Sequence, residues 1–518
     1  MAVKHDWPAP GSPEEVAEWQ ALVARVPTLF RTLSDVRVPQ TVVIVPSLSL
    51  DERELAKIKG VHHYEERMLV NLMLLRQPRT RLVYVTSQMM HPTIVDYYLA
   101  LLPGVPASHA RQRLVMLDCN DASSRSLSEK ILDRPRLLSR IRREISDPER
   151  AHLVCFNSTA AERTLAVRLG IPLNSVDPEL NHLGTKSGCR EVFREAGILL
   201  PEGFERLSTD TDIADSLAAL KRSNPAARRS VVKLNEGFSG EGNALFYYED
   251  GDDALSESEL SKRILGRLPT ALQYEAPSEN WEAFRTKFGE LQGVVEAFVE
   301  GEDKRSPSVQ CRVNALGLPQ VISTHDQVLG GKSGQVFLGC TFPADPLYRT
   351  EIQDSGQKVA DVLAAKGVIG RFAVDYVSVP NAAGGYDHYA IEINLRKGGT
   401  THPFLTLKFL TDGKLDRQTG DFIAPSGKQK YYFATDTIHQ DRYKGLRPDD
   451  LVDIAVYNKL HFHGPTQRGV VFHLIGALSR YGKIGIVAIG DNPKQAHFLY
   501  KQTLQVLDEA TGKRGRGQ

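Results

Sequence analysis

The first third of the chain alternates short, β-branched apolar runs with segments of helical period. Thr41-Val-Val-Ile-Val45, Arg81-Leu-Val-Tyr-Val85, Arg113-Leu-Val-Met-Leu117 and His152-Leu-Val-Cys-Phe156 have the length and composition of buried strands. Residues 64–75 and 135–145 instead place their apolar side chains on one helical face. Strands spaced by helices predict a doubly wound parallel sheet over residues 1–180. In residues 134–143 the arginines interleave with Leu137, Leu138 and Ile141, which reads as the solvated side of an amphipathic helix.

Later the pattern becomes strict alternation. In Tyr389-Ala-Ile-Glu392-Ile-Asn394-Leu-Arg396, period two puts Glu392, Asn394 and Arg396 on one face and Ile391, Ile393 and Leu395 on the other. One face packs and the other is free for chemistry. Gly370-Arg371-Phe-Ala-Val-Asp375-Tyr-Val-Ser-Val379 predicts the partner strand, with residues 380–385 as the turn, so Asp375 comes near Glu392 and Asn394. Such oxygen ligands suit a hard cation like Mg²⁺, which takes one or two carboxylates and lets nucleotide phosphates complete its shell.

Residues 231–246 read as two β-rich runs around a glycine-rich turn, with Lys233 before Gly237, Gly240 and Gly242. The glycines let backbone N–H groups approach an anion, and Lys233 offers a point charge to phosphate. The spacing is not G-x-x-x-x-G-K-[ST]. That pattern also fails at Lys332, where position 326 is Asp, and at Lys186, which Thr185 precedes. Between the two regions, Gly293-Val-Val-Glu296-Ala-Phe298-Val299-Glu300-Gly301 is an apolar strand closed by a glycine, suited to a hinge that reads a base through backbone groups.

The order Lys186, Lys233 with its glycine turn, Glu296, Asp375 and Glu392-x-Asn394-x-Arg396 resembles the ATP-grasp superfamily over residues 181–410. Leu183-Gly-Thr-Lys186-Ser-Gly-Cys-Arg190, residues 334–343 and residues 469–476 are most similar to pheganomycin-type peptide and carboxylate–amine ligases. The resemblance implies a parallel-sheet domain (1–180), an ATP-grasp domain (181–412) and a C-terminal α+β region (413–518). It implies ATP held by Lys186, Lys233, the turn residues Glu236, Gly237, Ser239, Gly240 and Gly242, and the hinge residues Glu296, Phe298 and Val299. It implies two Mg²⁺, or Mn²⁺ in their place, on Asp375, Glu392 and Asn394, and Arg396 with Arg371 as the catalytic cations. For ribose, Glu300, Glu302 and Asp303 compete within an apparent insertion, and Asp303 is counted in the site. The implied reaction phosphorylates a carboxylate from ATP and passes the acyl group to an amine. Water would destroy the acyl phosphate, so closure by the glycine turn and by a second segment, residues 324–335 with His325, Asp326 and Lys332, is expected.

Composition agrees with a multidomain enzyme. The balance of 64 basic and 63 acidic residues argues against a general polyanion surface, so nucleic acid is not expected as a partner. Five cysteines without a C-x-x-C pair fit a reducing cytoplasm. No apolar run reaches membrane-spanning length, so no membrane partner is expected. The expected partners are small carboxylates and amines, amino acids or short peptides, with a homodimer as the assembly to test.

In the first domain, no G-x-G-x-x-G follows the first strand. The places to look for substrate contacts are residues 64–67 and the Thr86-Ser87 turn at a strand's carboxyl end. Near the C-terminus, residues 470–475 and 483–489 predict strands and 493–507 a helix, with residues 511–518 as a polar, disordered tail. His461, His463 and His473 lack zinc-ligand spacing. Two readings stand beside the ligase: an ATP-dependent phosphotransferase on the same scaffold, and a catalytically silent nucleotide-binding module.

Overall fold

The computed structural model describes residues 7–237, 242–276, 279–330 and 336–512. Ser239, Gly240, Lys332 and the tail from residue 513 lie outside the described residues.

The four strands expected in the first third form: β1 (Gln40–Val45), β2 (Thr80–Thr86), β3 (Leu114–Asp118) and β4 (Ala151–Cys155). They pair in parallel in the order β3-β2-β1-β4. The apolar runs are buried on both faces, as in a helix-covered parallel sheet. Trp19, Val43, Val83, Ile131 and Ile141 lie in the core on one side, and Ile44, Tyr84, Leu69 and Tyr98 on the other. Residues 135–144 form the amphipathic helix, with Leu137, Leu138 and Ile141 inward. The segment expected as an α-helix at 64–75 winds as tighter 3₁₀ turns over Val61–Arg76.

A second sheet is antiparallel. It comprises β5 (Gly203–Leu207), β6 (Arg229–Leu234), β7 (Asn243–Tyr247), β8 (Gln273–Tyr274) and β9 (Gly293–Ala297), in the order β5-β9-β6-β7-β8. The glycine-rich turn joins β6 to β7, and a Cβ on Gly237 would lie 3.2 Å from the backbone nitrogen of Gly242. That close backbone approach explains two glycines across the turn.

The third sheet has eight strands. β10 (Pro307–Val313), β11 (Pro319–Gly330), β12 (Val336–Phe342), β13 (Gly370–Pro380) and β14 (Tyr386–Asn394) are followed by a small ribbon, β15 (Lys414–Leu415) with β16 (Phe422–Ile423). β17 (Tyr431–His439), β18 (Gly469–His473) and β19 (Lys483–Gly490) then complete the order β14-β13-β10-β11-β12-β17-β19-β18. Because β12 pairs with β17, this sheet runs on past residue 412. The final helix extends over Pro493–Gly512, so Thr511 and Gly512, expected in the tail, are helical.

One face of this sheet packs and the other stays available. Val309, Cys311, Phe372, Val374 and Tyr376 join Ile352, Val359, Ala360 and Leu363 of the helix Arg349–Ala365 in one core. Gly356 lets that helix close in, since a Cβ there would lie 2.6 Å from Val309 Cγ1. The opposite face carries Ser308, Gln310 and Arg312 of β10 against Asp375, Ala373 and Arg371 of β13.

Two expectations need correction. Residues 324–330 are not a loop but the end of β11, paired with β10 and β12. Their polarity is absorbed by neighbouring strands: His325 is fully buried with Nε2 2.5 Å from the Tyr432 hydroxyl, and Asp326 accepts from Tyr348 and the Asp345 backbone N–H. Alternation along β14 is also broken. Asp375 pairs with Glu392 but Tyr376 pairs with Ala390, so a bulge absorbs Ile391. Ala390, rather than Ile391, then joins Ile393 and Leu395 in the core. The extra residue re-aims Glu392 beside Asp375.

Candidate functional site

Lys186 stands in the first turn of the helix Lys186–Glu195, whose N-cap Thr185 accepts from the Gly188 N–H. Asn235, just after β6, fixes that turn. Its carbonyl accepts from the Lys186 N–H at 3.1 Å, and its Oδ1 accepts from both the N–H and the hydroxyl of Ser187. The helix also rests on β14 through Cys189, whose sulfur accepts from the Ile393 N–H at 3.1 Å. Lys186 is thereby aimed at Glu392, with Nζ 2.7 Å from Oε1.

From that ion pair a ladder runs across the open face. Asp375 stands opposite Glu392 in register, Asn394 Nδ2 donates to Asp375 Oδ2 at 2.8 Å, and Arg396 Nη1 donates to Asn394 Oδ1 at 2.5 Å. Burial raises the Glu392 carboxyl, but Lys186 outweighs it and holds it below its ordinary range. Asp375 lacks such a partner, and burial together with Glu392 pushes it up to about 6. Two adjacent carboxylates, one undercompensated, beside an amide form an oxygen donor set for a hard divalent cation that leaves positions for phosphate. The residues therefore fit magnesium. Among the described residues no group of three or more His, Cys, Asp or Glu side chains gathers for a metal.

A second charged knot lies beside the first. Glu296 on β9 sits between Lys233 Nζ at 2.5 Å and Arg190 Nη1 at 2.6 Å. Burial favours its neutral form, but Lys233 and Arg190 prevail and keep the carboxyl lowered. The Glu296 side chain is thus committed within the protein. Phe298 lies under Arg229, whose guanidinium carbon is 3.8 Å from the ring centroid, and the Val299 carbonyl accepts from Lys304. Glu300 is paired with Arg229, whereas Glu302 and Asp303 are exposed, Asp303 at φ 52°. Glu236 and Gly237 are exposed at the start of the turn.

Arg371 falls elsewhere. It shares the sheet face with Asp375, four residues along β13, and is in register with Arg312. Sequence reasoning missed Asn235, Arg190 and Arg312. Arg190 had a usable signal, a cation on the inward side of the helix that carries Lys186. Asn235 and Arg312 had none, because only the folded register brings them in. His473, at the end of β18, faces His402, with Nε2 atoms 3.0 Å apart.

The residues singled out in the first domain converge. A crevice of about 350 Å³, counting its open mouth, lies beyond the carboxyl ends of β1, β2 and β4 and is lined by Tyr64, Glu65, Arg67, Ser87, Lys130 and Phe156 among others. Glu65 accepts from the Ser87 N–H at 2.7 Å and hydroxyl at 2.5 Å, and burial pushes its carboxyl up to about 7. Lys130 donates to the same hydroxyl at 3.0 Å. Arg67 lies between the rings of Tyr64 and Phe156 and pairs with Asp436 at 3.3 Å. Glu66 turns away and accepts from the Gly476 N–H. A second crevice of about 260 Å³ shares Arg67 and Phe156 and reaches Lys397, the neighbour of Arg396.

Comparisons with known proteins agree with this geometry. The family described as IQCH-like, ATP-grasp matches residues 178–250 and 253–418, and the PGM1 C-terminal domain matches residues 450–503. The L-propargylglycine--L-glutamate ligase of Streptantibioticus cattleyicolor is 30% identical over 472 residues, covering 90% of this chain and 94% of that protein. The IQ motif-containing protein H of Danio rerio is 24% identical over an alignment of 428 residues, covering 74% of this chain and 40% of that protein. Among solved structures, Campylobacter jejuni biotin carboxylase superposes with a TM-score of 0.54 at 13% identity, covering 90% of this chain and 91% of its own. An ADP complex of N5-carboxyaminoimidazole ribonucleotide synthetase gives 0.50 at 12% identity, covering 91% and 98%. These two share the fold. No helix among the described residues is long and apolar enough to cross a membrane. With a relative at 30% identity along nearly its whole length, the chain belongs to the ATP-grasp family, among its pheganomycin-type carboxylate–amine ligases.

Proposed function

We propose that this protein is an ATP-dependent ligase that joins a small carboxylate to the amine of an amino acid or short peptide, releasing ADP and phosphate. The observation that carries this reading is the ladder Lys186, Glu392, Asp375, Asn394, Arg396 on one open sheet face. It sets metal-type oxygen donors between two cations, the arrangement needed to bring a carboxylate to a triphosphate against their mutual repulsion. The named substrates of the 30% identical relative, two amino acids, support the substrate class.

Asp375, Glu392 and Asn394 hold magnesium in this reading, with two ions as the expected number. When bound, the metal neutralises phosphate charge. Lys186 and Lys233 hold ATP phosphates together with Glu236, Gly237 and Gly242, and residues 297–299 meet the base, with Asp303 at the ribose. Arg396 orients the reacting carboxylate and covers charge as its oxygen bonds to the γ-phosphorus. The amine then attacks the acyl carbon and phosphate leaves. The crevice at Glu65 and Arg67 admits the second substrate. Residues 1–180, 181–412 and 413–518 are the working units, the third sharing its sheet with the second, and the five buried thiols suit a reducing cytoplasm.

The test is ADP release screened over amino acids, short peptides and other small acids, with product masses and hydroxylamine trapping. A product equal to both substrates less water, with a hydroxamate formed when the amine is withheld, is expected. ADP release that requires the acid but yields neither amide nor hydroxamate would assign a phosphotransferase instead.

A further inference from the structure

Several charged groups below the surface of this molecule come in opposite pairs. Arg349 meets Asp421 at 2.5 Å, Lys430 meets Asp491 at 2.6 Å, and Arg190 meets Glu296 and Glu205. One cluster of like charge, with Arg312, Arg371 and Lys397 half-buried and Lys408 exposed, has no acid paired to it among the described residues. Arg312 and Arg371 lie side by side in register on β10 and β13. Lys397 follows β14 closely and donates Nζ to the Cys155 carbonyl at 2.5 Å, and Lys408 sits on the helix Thr401–Thr411. Lys397 and Lys408 both feel Arg371 and Arg312 as repulsive neighbours. No carboxylate among the described residues makes an ion pair with any of the four. Two buried polar atoms on the same face also lack partners: Nη1 of Arg371, and Oε1 of Gln310, a residue only 1% exposed whose Nε2 donates to the Thr400 carbonyl.

We propose that Arg312, Arg371, Lys397 and Lys408 form an anion subsite for a second carboxylate on the acid that is activated, so that the preferred acid carries carboxylates at both ends. This rests on the ligase reading above. The geometry fixes which end goes where. Arg371 and Asp375 share one face of one strand, about 13 Å apart between Cα atoms at the rise of a β-strand. The acid would lie along that face with its reacting end toward Arg396 and the metal ligands. Its far carboxylate would meet the forked guanidinium groups, whose planar donors match a carboxylate two bonds at a time. Gln310 Oε1 accepts an N–H beside that far carboxylate, as an α-amino acid end would supply. Burial and Arg312 push Arg371 down to about 9, and burial pushes Lys397 down to about 8, consistent with cations held together without their counter-ion.

Direct binding tests the subsite apart from catalysis. Calorimetric titration of the full chain, loaded with Mg²⁺ and a non-hydrolysable ATP analogue, with glutarate, L-glutamate and butyrate should show the two dicarboxylates binding at least about tenfold tighter than butyrate. Arg371→Gln and Arg312→Gln should each remove that preference while leaving the affinity for the ATP analogue within about twofold, and Arg371→Lys should keep part of it. Melting temperatures without ligand should hold or rise in both glutamine variants, because each relieves repulsion. The subsite is overturned if wild type does not prefer dicarboxylates, if the variants weaken the ATP analogue equally, or if their melting temperatures fall along with all binding. An Arg371-dependent dicarboxylate preference without ADP release for any acid would sink the ligase reading and leave the subsite standing. ADP release and amide formation with no such preference would do the reverse.

Discussion

The two groups of cations beside the eight-stranded sheet differ in how their charge is met. Around Glu392 and Glu296, Lys186, Lys233 and Arg190 each have an acid at ion-pair distance, whereas Arg371 makes no ion pair among the described residues. Paired charges hold one another in place before any ligand arrives, which is what a preorganised phosphate and metal site requires. Unpaired like charges store a demand for an anion. The difference teaches that one sheet face has a part built to position and a part built to recognise.

The strongest attack on the positioning part is Glu392→Ala. It removes a metal ligand and leaves Lys186 without its partner, so ATP turnover should fall by at least about 10²-fold. Turnover equal to wild type in an ADP-release assay would undo the site assignment. Glu296→Gln strikes the structural side of the same part. It leaves Lys233 and Arg190 buried without their shared acid, and chemical denaturation should register a loss of about 3–5 kcal/mol. Since the Glu296 carboxyl is lowered, the stability it contributes is present above the ordinary pKa of 4.5 and fades as pH drops below it, so the gap between wild type and variant should narrow in acid.

Arg396→Lys keeps the charge and loses the fork, and kcat should drop by about tenfold with the KM for ATP little changed. Asp375, raised to about 6, takes a proton as pH falls through that value. Apparent Mg²⁺ affinity, read from nucleotide binding, should therefore weaken by several-fold between pH 7.5 and about 5.5. The smallest effect belongs to the recognising part. Arg371→Gln should stabilise the ligand-free protein by about 0.5 kcal/mol, and added salt should shrink that gain as it screens the repulsion. A loss of stability there would erase the contrast between the two regions.

Much of this was legible in the residues. Period-two alternation located β13 and β14, and the parallel sheet followed from four β-branched runs. What alternation did not reveal was the bulge at Ile391, because an inserted residue looks like any other until the register is known. The polar end of β11 was misread for a related reason. His325 and Asp326 look like loop residues alone and become strand residues once Tyr432 and Tyr348, far away in sequence, satisfy them. The cluster at Arg371 was equally hidden. Arg312 precedes it by more than fifty positions, and only antiparallel pairing makes them neighbours.

The sulfur of Cys189 has a further consequence. β14 ends the eight-stranded sheet, and an outermost strand ordinarily offers its bare backbone as a template on which another chain can stack. Here the thiol takes the Ile393 N–H and contacts its carbonyl, and the Leu199 carbonyl takes the Ala390 N–H. The strand bearing Glu392 and Asn394 can thus stand at the rim, reachable by small molecules yet closed to stray β-strands.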